Sequence, residues 1–137
     1  MKIFVTGVNG QLGHDVMLEL KKRSHVGIGS DIAPVCGWST AQLYKQLDIT
    51  EANAVAFVLR ETEPDAVIHC AAWTAVDAAE DPDKKNLVQA VNGTGTKNIA
   101  QICKTLGCKM VYISTDYVFN GQGTAPWKPD CKTLWQD

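Results

Sequence analysis

The first apolar positions form a short unbroken run, Ile3-Phe4-Val5, between Lys2 and Thr6, and such a run reads as a strand buried on both faces. From Gln11 to Arg23 the period changes. Leu12, Val16, Met17, Leu18 and Leu20 gather roughly on one helical face, and Lys21-Lys22-Arg23 place positive charge where a helix C-terminus favours it. His25 to Ser30 reads as a second strand, loosened by Gly27 and Gly29 and ending at Asp31. Ala33 to Thr40, with Pro34 and Gly37, reads as a loop, and a very short third strand is predicted near Gln46 to Asp48. Thr50 is placed to cap a helix from Glu51 to about Glu61. Pro64-Asp65 ends that pattern, and Ala66 to Cys70 is again continuously apolar, a fourth strand. Asp81-Pro82 opens a helix predicted to reach Leu106 and stop at Gly107. Gly93 and Gly95 interrupt it at about 1 kcal/mol each relative to alanine, which close packing against a neighbour would explain. Met110 to Ser114 is the fifth strand, and Asn120 to Asp137 has no periodicity and reads as loop or tail.

Strands and helices alternate from the first residue, which predicts an α/β fold: a Rossmann-type doubly wound parallel sheet in strand order 3-2-1-4-5. We assign residues 1–119 to that domain and residues 120–137 to the loop or tail. Apolar residues make up 45% of the 137 and charged residues 20%, as in an ordinary globular chain, and a formal net charge of −2 gives no reason to expect a nucleic-acid partner. The longest apolar run, Ala66 to Val76, is too short to span a bilayer and includes His69 and Thr74; with no secretory leader in view, the expectation is a cytoplasmic protein that does not engage a membrane. The five cysteines are odd in number and lack C-x-x-C spacing, so free thiols are expected, Cys70 and Cys103 acting as small hydrophobes, with neither disulfides nor a zinc site.

The segment Thr6-Gly7-Val8-Asn9-Gly10-Gln11-Leu12-Gly13 carries the most chemistry. It follows a predicted strand and opens a predicted helix, whose first N–H groups and partial positive charge suit a pyrophosphate. Glycine allows the sharp turn, lets the backbone approach phosphate, and at Gly13 lets helix and strand pack closely. The spacing is G-x-x-G-x-x-G, that of the short-chain dehydrogenase group. An ATPase-type phosphate loop requires Gly-Lys-Ser/Thr, whereas His14 follows Gly13. Asp31, ending the second strand, is placed to accept hydrogen bonds from an adenosine ribose. It would repel a 2′-phosphate, and Ile32-Ala33-Pro34 brings no cation, which leans towards NADH over NADPH.

Three further strings complete a family resemblance: His69-Cys70-Ala71-Ala72-Trp73-Thr74-Ala75-Val76-Asp77, Val91-Asn92-Gly93-Thr94-Gly95-Thr96 and Ser114-Thr115-Asp116-Tyr117-Val118-Phe119. With the glycine turn they resemble the dTDP-4-dehydrorhamnose reductase family of extended short-chain dehydrogenases, from Met1 to about Lys132. The resemblance implies reduction of the C4 ketone of dTDP-4-dehydro-L-rhamnose by NADPH or NADH, a homodimer, Mg²⁺ in many members, and a place in bacterial surface polysaccharide synthesis. It also implies that Gly7, Gly10, Gln11, Leu12 and Gly13 line the pyrophosphate, Asp31 meets the ribose, and Asp48 and Ile49 stand on the adenine side. By the same resemblance Ala71, Ala72, Trp73 and Thr74 lie beside the cofactor, Ile113 passes its backbone near the nicotinamide, Thr115 is the hydroxyl member of the catalytic trio, and Asp116 and Trp127 approach the sugar nucleotide. His69 and Tyr112 read as structural, Tyr117 and Phe119 as core aromatics, and Trp127 equally as a loop anchor.

The family's Tyr-x-x-x-Lys pair does not occur: Tyr44, Tyr112 and Tyr117 are followed at +4 by Asp48, Asp116 and Gly121. The expectation is a chain that stops short of the catalytic helix, binds a dinucleotide weakly and turns over little or no ketone. A non-catalytic dinucleotide- or partner-binding module of the same fold stays open beside it, as does a different sugar-nucleotide reductase or epimerase.

Overall fold

The structure is a computed structural model and describes residues 1–37 and 43–133. Its strands are β1 (Lys2–Thr6), β2 (Val26–Asp31), β3 (Leu43–Gln46), β4 (Ala66–His69) and β5 (Lys109–Tyr112). They form one parallel sheet in the order β3-β2-β1-β4-β5, as the alternation of elements requires. The helices are α1 (Gln11–Lys22), α2 (Ala52–Thr62), the short α3 (Val76–Ala79) and α4 (Lys85–Val88), and α5 (Thr96–Leu106), with a π-helical segment Gln89–Gly95 joining the last two.

β1 lies at the centre because its alternate residues feed two cores. Phe4 joins Ile28 and Val67 under α2 and α5, against Val55, Leu59, Ile99 and Cys103. Ile3 and Val5 face the other way, onto Val8 and onto Met17 and Leu20 of α1. Phe4, Val5, Leu59 and Ile99 are fully buried, each worth about 1.5–3 kcal/mol. The β2 glycines make room rather than merely loosen the strand: a Cβ on Gly27 would stand 3.0 Å from Met17 Cε, and one on Gly29 3.1 Å from a Val8 methyl. On the α1 side the sheet is less covered towards its β5 edge, where Val111 and Ile113 remain exposed.

The third strand runs over Leu43–Gln46, earlier than the predicted Gln46 to Asp48. As an edge strand it shows no in–out alternation, so its limits leave no periodic trace. Leu47 and Ile49 instead turn into the core, and Asp48 makes a side-chain turn between them, its Oδ1 accepting from Thr50 N at 2.9 Å and Thr50 Oγ1 at 2.7 Å. Thr50 is thus engaged with Asp48 and does not cap α2, whose capping position is Glu51, without a side-chain bond. Part of the predicted loop from Ala33 to Thr40, residues 38–40, lies outside the described residues, as do residues 134–137 of the tail.

The long helix predicted from Asp81 to Leu106 is broken. Asp81 Oδ1 accepts from Asp83 N at 3.0 Å, a turn that holds the chain back from helix until Lys85. The π-helical segment then adds a residue to the turn ahead of α5. Gly95 has the close-packing explanation: a Cβ there would lie 2.6 Å from Ile49 Cδ1. Gly93 does not, since its imagined Cβ meets only Gln89 of its own segment. α5 does stop at Gly107, in the left-handed region at φ +68°, with Gly107 N donating to Lys104 O and Cys108 N to Cys103 O. Cys103 is buried there, and burial beside Cys108 pushes its thiol up to about 12, so it behaves as a hydrophobe.

Candidate functional site

The carboxyl ends of β1, β2 and β4 are in register, with Thr6 opposite both Ser30 and His69. Just beyond Thr6 the chain turns on three glycines that act differently. Gly7 adopts φ +72°, and a Cβ on it would stand 2.7 Å from the backbone N of Ala71. Gly13 is buried where a Cβ would lie 2.2 Å from Gly7 O, which lets α1 start in contact with the turn below it. Gly10 needs no special φ, at −80°, and its imagined Cβ meets only Gly7 O, at 3.3 Å. Gly10 N closes the turn onto Gly7 O at 3.1 Å, and His14 N opens the helix on Gly10 O at 3.0 Å. That leaves the amides of Gln11, Leu12 and Gly13 as the first N–H groups of α1, without intrahelical acceptors and without a side-chain cap.

A second wall comes from β2. Asp31 is half-buried; its Oδ2 accepts from Asn9 N at 3.1 Å and its Oδ1 from Ala33 N at 3.5 Å. Asn9 then ties the following loop to the glycine turn, donating from Nδ2 to Val35 O at 3.3 Å and accepting at Oδ1 from Gly37 N at 2.8 Å. Tyr44 on β3 braces the same loop through Ala33 O, and burial, with the Asp31 charge beside it, raises its phenol above the usual range. Asp48 and Ile49 lie past the end of β3; the Asp48 carboxylate is engaged with Thr50 and the Ile49 side chain is core.

The loop after β4 forms the floor. Cys70 N and Ala71 N both donate to Thr6 Oγ1 at 3.1 Å, and Thr6 Oγ1 also lies 2.8 Å from His69 Nδ1. At the far end of the loop Asn92, on the π-helical segment, clamps Trp73, accepting from its N at 2.8 Å and donating to its O at 3.2 Å. Ala72 and Thr74 are exposed on this loop. Thr6, Asn9 and Asn92 carry much of the hydrogen bonding here, yet the sequence reading passed them over. The only signal for them was their place within the two glycine-bearing strings.

Thr115 and Asp116 stand exposed just beyond β5. The Thr115 hydroxyl accepts from Tyr117 N at 3.2 Å, which starts a single 3₁₀ turn, and donates to Asp116 Oδ1 at 3.4 Å. Ile113 N donates to His69 O at 3.4 Å, carrying the sheet one bond past β5. Trp127 stacks on Phe119 with ring centres 4.8 Å apart and planes 2° from parallel, so it is anchored to its loop while still 42% exposed. Tyr117 is exposed rather than a core aromatic. The glycine turn therefore touches Asp31 on one side and the β4 loop on the other, and Thr115 lies at the same carboxyl edge of the sheet, where open α/β sheets take their ligands. The site is an open ledge; two concave hollows lie elsewhere, one between Lys21, His25 and Leu43, the other over Phe57 and Arg60 on α2.

Among the described residues no group of three or more His, Cys, Asp or Glu side chains is placed to hold a metal ion, so Mg²⁺ finds no such cluster. Among them, too, no helix is long and apolar enough to cross a membrane.

Similarity to known proteins agrees with this geometry. A dTDP-4-dehydrorhamnose reductase of Streptomyces griseus is 40% identical over 129 residues, which is 94% of this chain and 38% of that protein. The crystal structure of a dTDP-4-dehydrorhamnose reductase from Clostridium acetobutylicum superimposes with a TM-score of 0.82 at 37% identity, covering 97% of this chain and 42% of that one. A Bacillus anthracis dTDP-4-dehydrorhamnose reductase, solved in complex with NADP, gives a TM-score of 0.74 at 38% identity over 88% of this chain and 38% of its own. The chain thus spans about two fifths of the length of the relatives it matches. The family described as RmlD substrate binding domain matches residues 1–134, nearly every residue discussed above, and to that family the chain belongs.

Proposed function

We propose that this chain is the nicotinamide-dinucleotide-binding part of a dTDP-4-dehydrorhamnose reductase. The observation that carries the reading is the ledge at the start of α1, where Gly13 brings three unpaired amides down onto the glycine turn and Gly7 admits Ala71 beside it. A dinucleotide fits there because these two glycines let the backbone close into a tight turn under α1, and the groups left facing outward are N–H donors at the positive end of a helix. When bound, the dinucleotide supplies the hydride that reduces the C4 ketone of a dTDP-4-dehydro-sugar.

In this reading the amides of Gln11, Leu12 and Gly13 hold the pyrophosphate, and Asp31 accepts from the adenosine ribose. The loop of residues 71–74 and the backbone of Ile113 flank the nicotinamide half. The Thr115 hydroxyl donates to the ketone oxygen as negative charge gathers on it, and Asp116 and Trp127 border the sugar nucleotide. No Tyr-x-x-x-Lys pair lies within these 137 residues, so delivery of the proton is not among their tasks. A homodimer and a cytoplasmic location go with the proposal.

Asp31 also sets the choice of dinucleotide. Residues 32–44 contain no lysine or arginine, and Lys45, the next cation, is held by Glu61 at 3.0 Å. A 2′-phosphate would meet the Asp31 carboxylate uncompensated, which favours NADH. Calorimetric titration of the chain tests both points. NADH is expected to bind more tightly than NADPH, and Asp31→Ala to weaken NADH about tenfold or more, the worth of a hydrogen bond to a charged group, while narrowing the gap to NADPH. A folded chain that binds neither dinucleotide at millimolar concentration refutes the function; equal affinity for both refutes the role of Asp31.

A further inference from the structure

The hydroxyl of Thr6 has three neighbours and only one proton. Its Oγ1 lies 3.1 Å from Cys70 N, 3.1 Å from Ala71 N and 2.8 Å from His69 Nδ1. Both amides can only donate, so they occupy the two lone pairs of the hydroxyl, and its proton has one place left to go, His69 Nδ1. That nitrogen must be unprotonated, and the ring hydrogen sits on Nε2, which lies 3.1 Å from Thr96 Oγ1 and donates to it. Thr6 and His69 are each 1% exposed, and Tyr112 stacks on the ring with centres 5.9 Å apart, so bulk solvent does not compete for these partners and the ring is packed in place. The other tautomer would aim an N–H at a hydroxyl whose lone pairs are both taken, and would cost one of the two amide bonds.

We propose that His69 is a positioning residue of the dinucleotide ledge: locked as the Nε2–H tautomer, it takes the Thr6 proton, turns both Thr6 lone pairs to the Cys70 and Ala71 amides, and so seats the β4 loop against Gly7. The proposal rests on the dinucleotide-binding reading. Its force comes from the tight fit at Gly7, where Ala71 N already stands 2.7 Å from the point a Cβ would occupy. Asn92 holds the other end of the loop at Trp73, so release of Ala71 tilts the floor of the ledge without freeing the whole loop. The imidazole touches no ligand; it acts through Thr6.

The tautomer is tested on the unaltered 137-residue chain by ¹⁵N NMR of the imidazole near neutral pH. Nε2 is expected as the protonated nitrogen and Nδ1 as the unprotonated one; the reverse assignment overturns the proposal. Four variants test the action. His69→Leu and Thr6→Val remove the proton acceptor and the hydroxyl, whereas His69→Asn and Thr6→Ser keep an acceptor and a hydroxyl. The first two are expected to speed amide exchange at Cys70 and Ala71 about tenfold, in line with one lost hydrogen bond, while β1 and β2 amides hold steady. They should also weaken NADH about tenfold and leave AMP, which the Asp31 side would hold, unchanged, and the conservative pair should restore both. Folded His69→Leu or Thr6→Val with parental exchange at Cys70 and Ala71 and a parental NADH-to-AMP ratio overturns the proposal. If both fail to fold, the tautomer and the conservative pair decide: protonation at Nδ1, or Thr6→Ser and His69→Asn with the loop amides released, overturns it. If the unaltered chain ignores NADH, the functional reading falls, and the tautomer and exchange still judge the seat.

Discussion

Gly13→Ala should separate α1 from the turn beneath it. The added methyl carbon would stand 2.2 Å from Gly7 O, 2.7 Å from Gly7 C and 2.9 Å from Val8 Cα. All three are backbone, so no side chain can rotate away, and relief requires α1 to back off the glycine turn by about an ångström. That movement loosens Met17 and Leu20 from Val5 and Val8 in the smaller core. Overpacking of a tight site costs about 1–3 kcal/mol, and a clash against backbone belongs at the top of that range. Alanine returns about 1 kcal/mol of helix propensity, for a net loss of about 2 kcal/mol. For a chain of this size that lowers Tm by about 8 °C, readable by circular dichroism on heating or in urea. Gly10→Ala is the control, because its Cβ meets only Gly7 O, at 3.3 Å, and the residue is exposed at an ordinary φ. It should stay within about 0.5 kcal/mol of the parent, as surface changes do, yet lose dinucleotide affinity if the ledge is the pyrophosphate site. A Gly13→Ala protein as stable as the parent, or a Gly10→Ala protein destabilised equally, would refute the division between packing glycine and ligand glycine.

Gly95→Ala drives a methyl to 2.6 Å from both Cδ1 and Cγ1 of Ile49, so it should cost about 1–2 kcal/mol. Ile49→Val removes Cδ1, and the double variant should recover at least about 0.5 kcal/mol relative to the sum of the single losses; strict additivity in urea titrations would show that the two residues do not press on each other. His69 gives the fold an acid-sensitive point, because burial pushes its imidazole down from 6.5 to about 4. As pH falls through 6.5 the unfolded chain gains a proton that the folded chain refuses until about 4, so stability present at neutral pH drains away across that window, by about 3 kcal/mol at most, and no further below it. His69→Asn should lack this component of the acid loss, and an unfolding free energy with the same pH dependence in both proteins would contradict it.

Much of this architecture is legible along the chain because strand burial and helix amphipathicity are local periodicities. Ile3-Phe4-Val5 and Ala66 to Cys70 announce strands covered on both faces, and β1 is indeed the central strand of the sheet and β4 an interior neighbour of it. The glycine spacing announces a strand-to-helix turn because a missing side chain leaves a mark at fixed positions. β3 left none, being an edge strand with mixed exposure, and Leu47 and Ile49, which look like strand, are buried after the chain has left the sheet. The helix start at Asp81-Pro82 and the stop at Gly107 marked only the two ends, and the Asp81 turn and the π-helical segment between them went unread, since one added residue shifts a helical stripe without erasing it.

Chain order and residue type were enough for the parallel sheet, the crossovers that arrange it and the turn that suits a pyrophosphate, because each follows from steric limits within a few neighbouring residues. Contacts between distant stretches were beyond them. Thr6 meets His69 and Ala71 across more than sixty residues, Asn92 reaches back to Trp73, and Gly95 lies on Ile49. Such pairs exist only once separate elements dock, and the tautomer of a buried imidazole or the purpose of a helical glycine is settled by the group that arrives opposite, to which no local pattern responds.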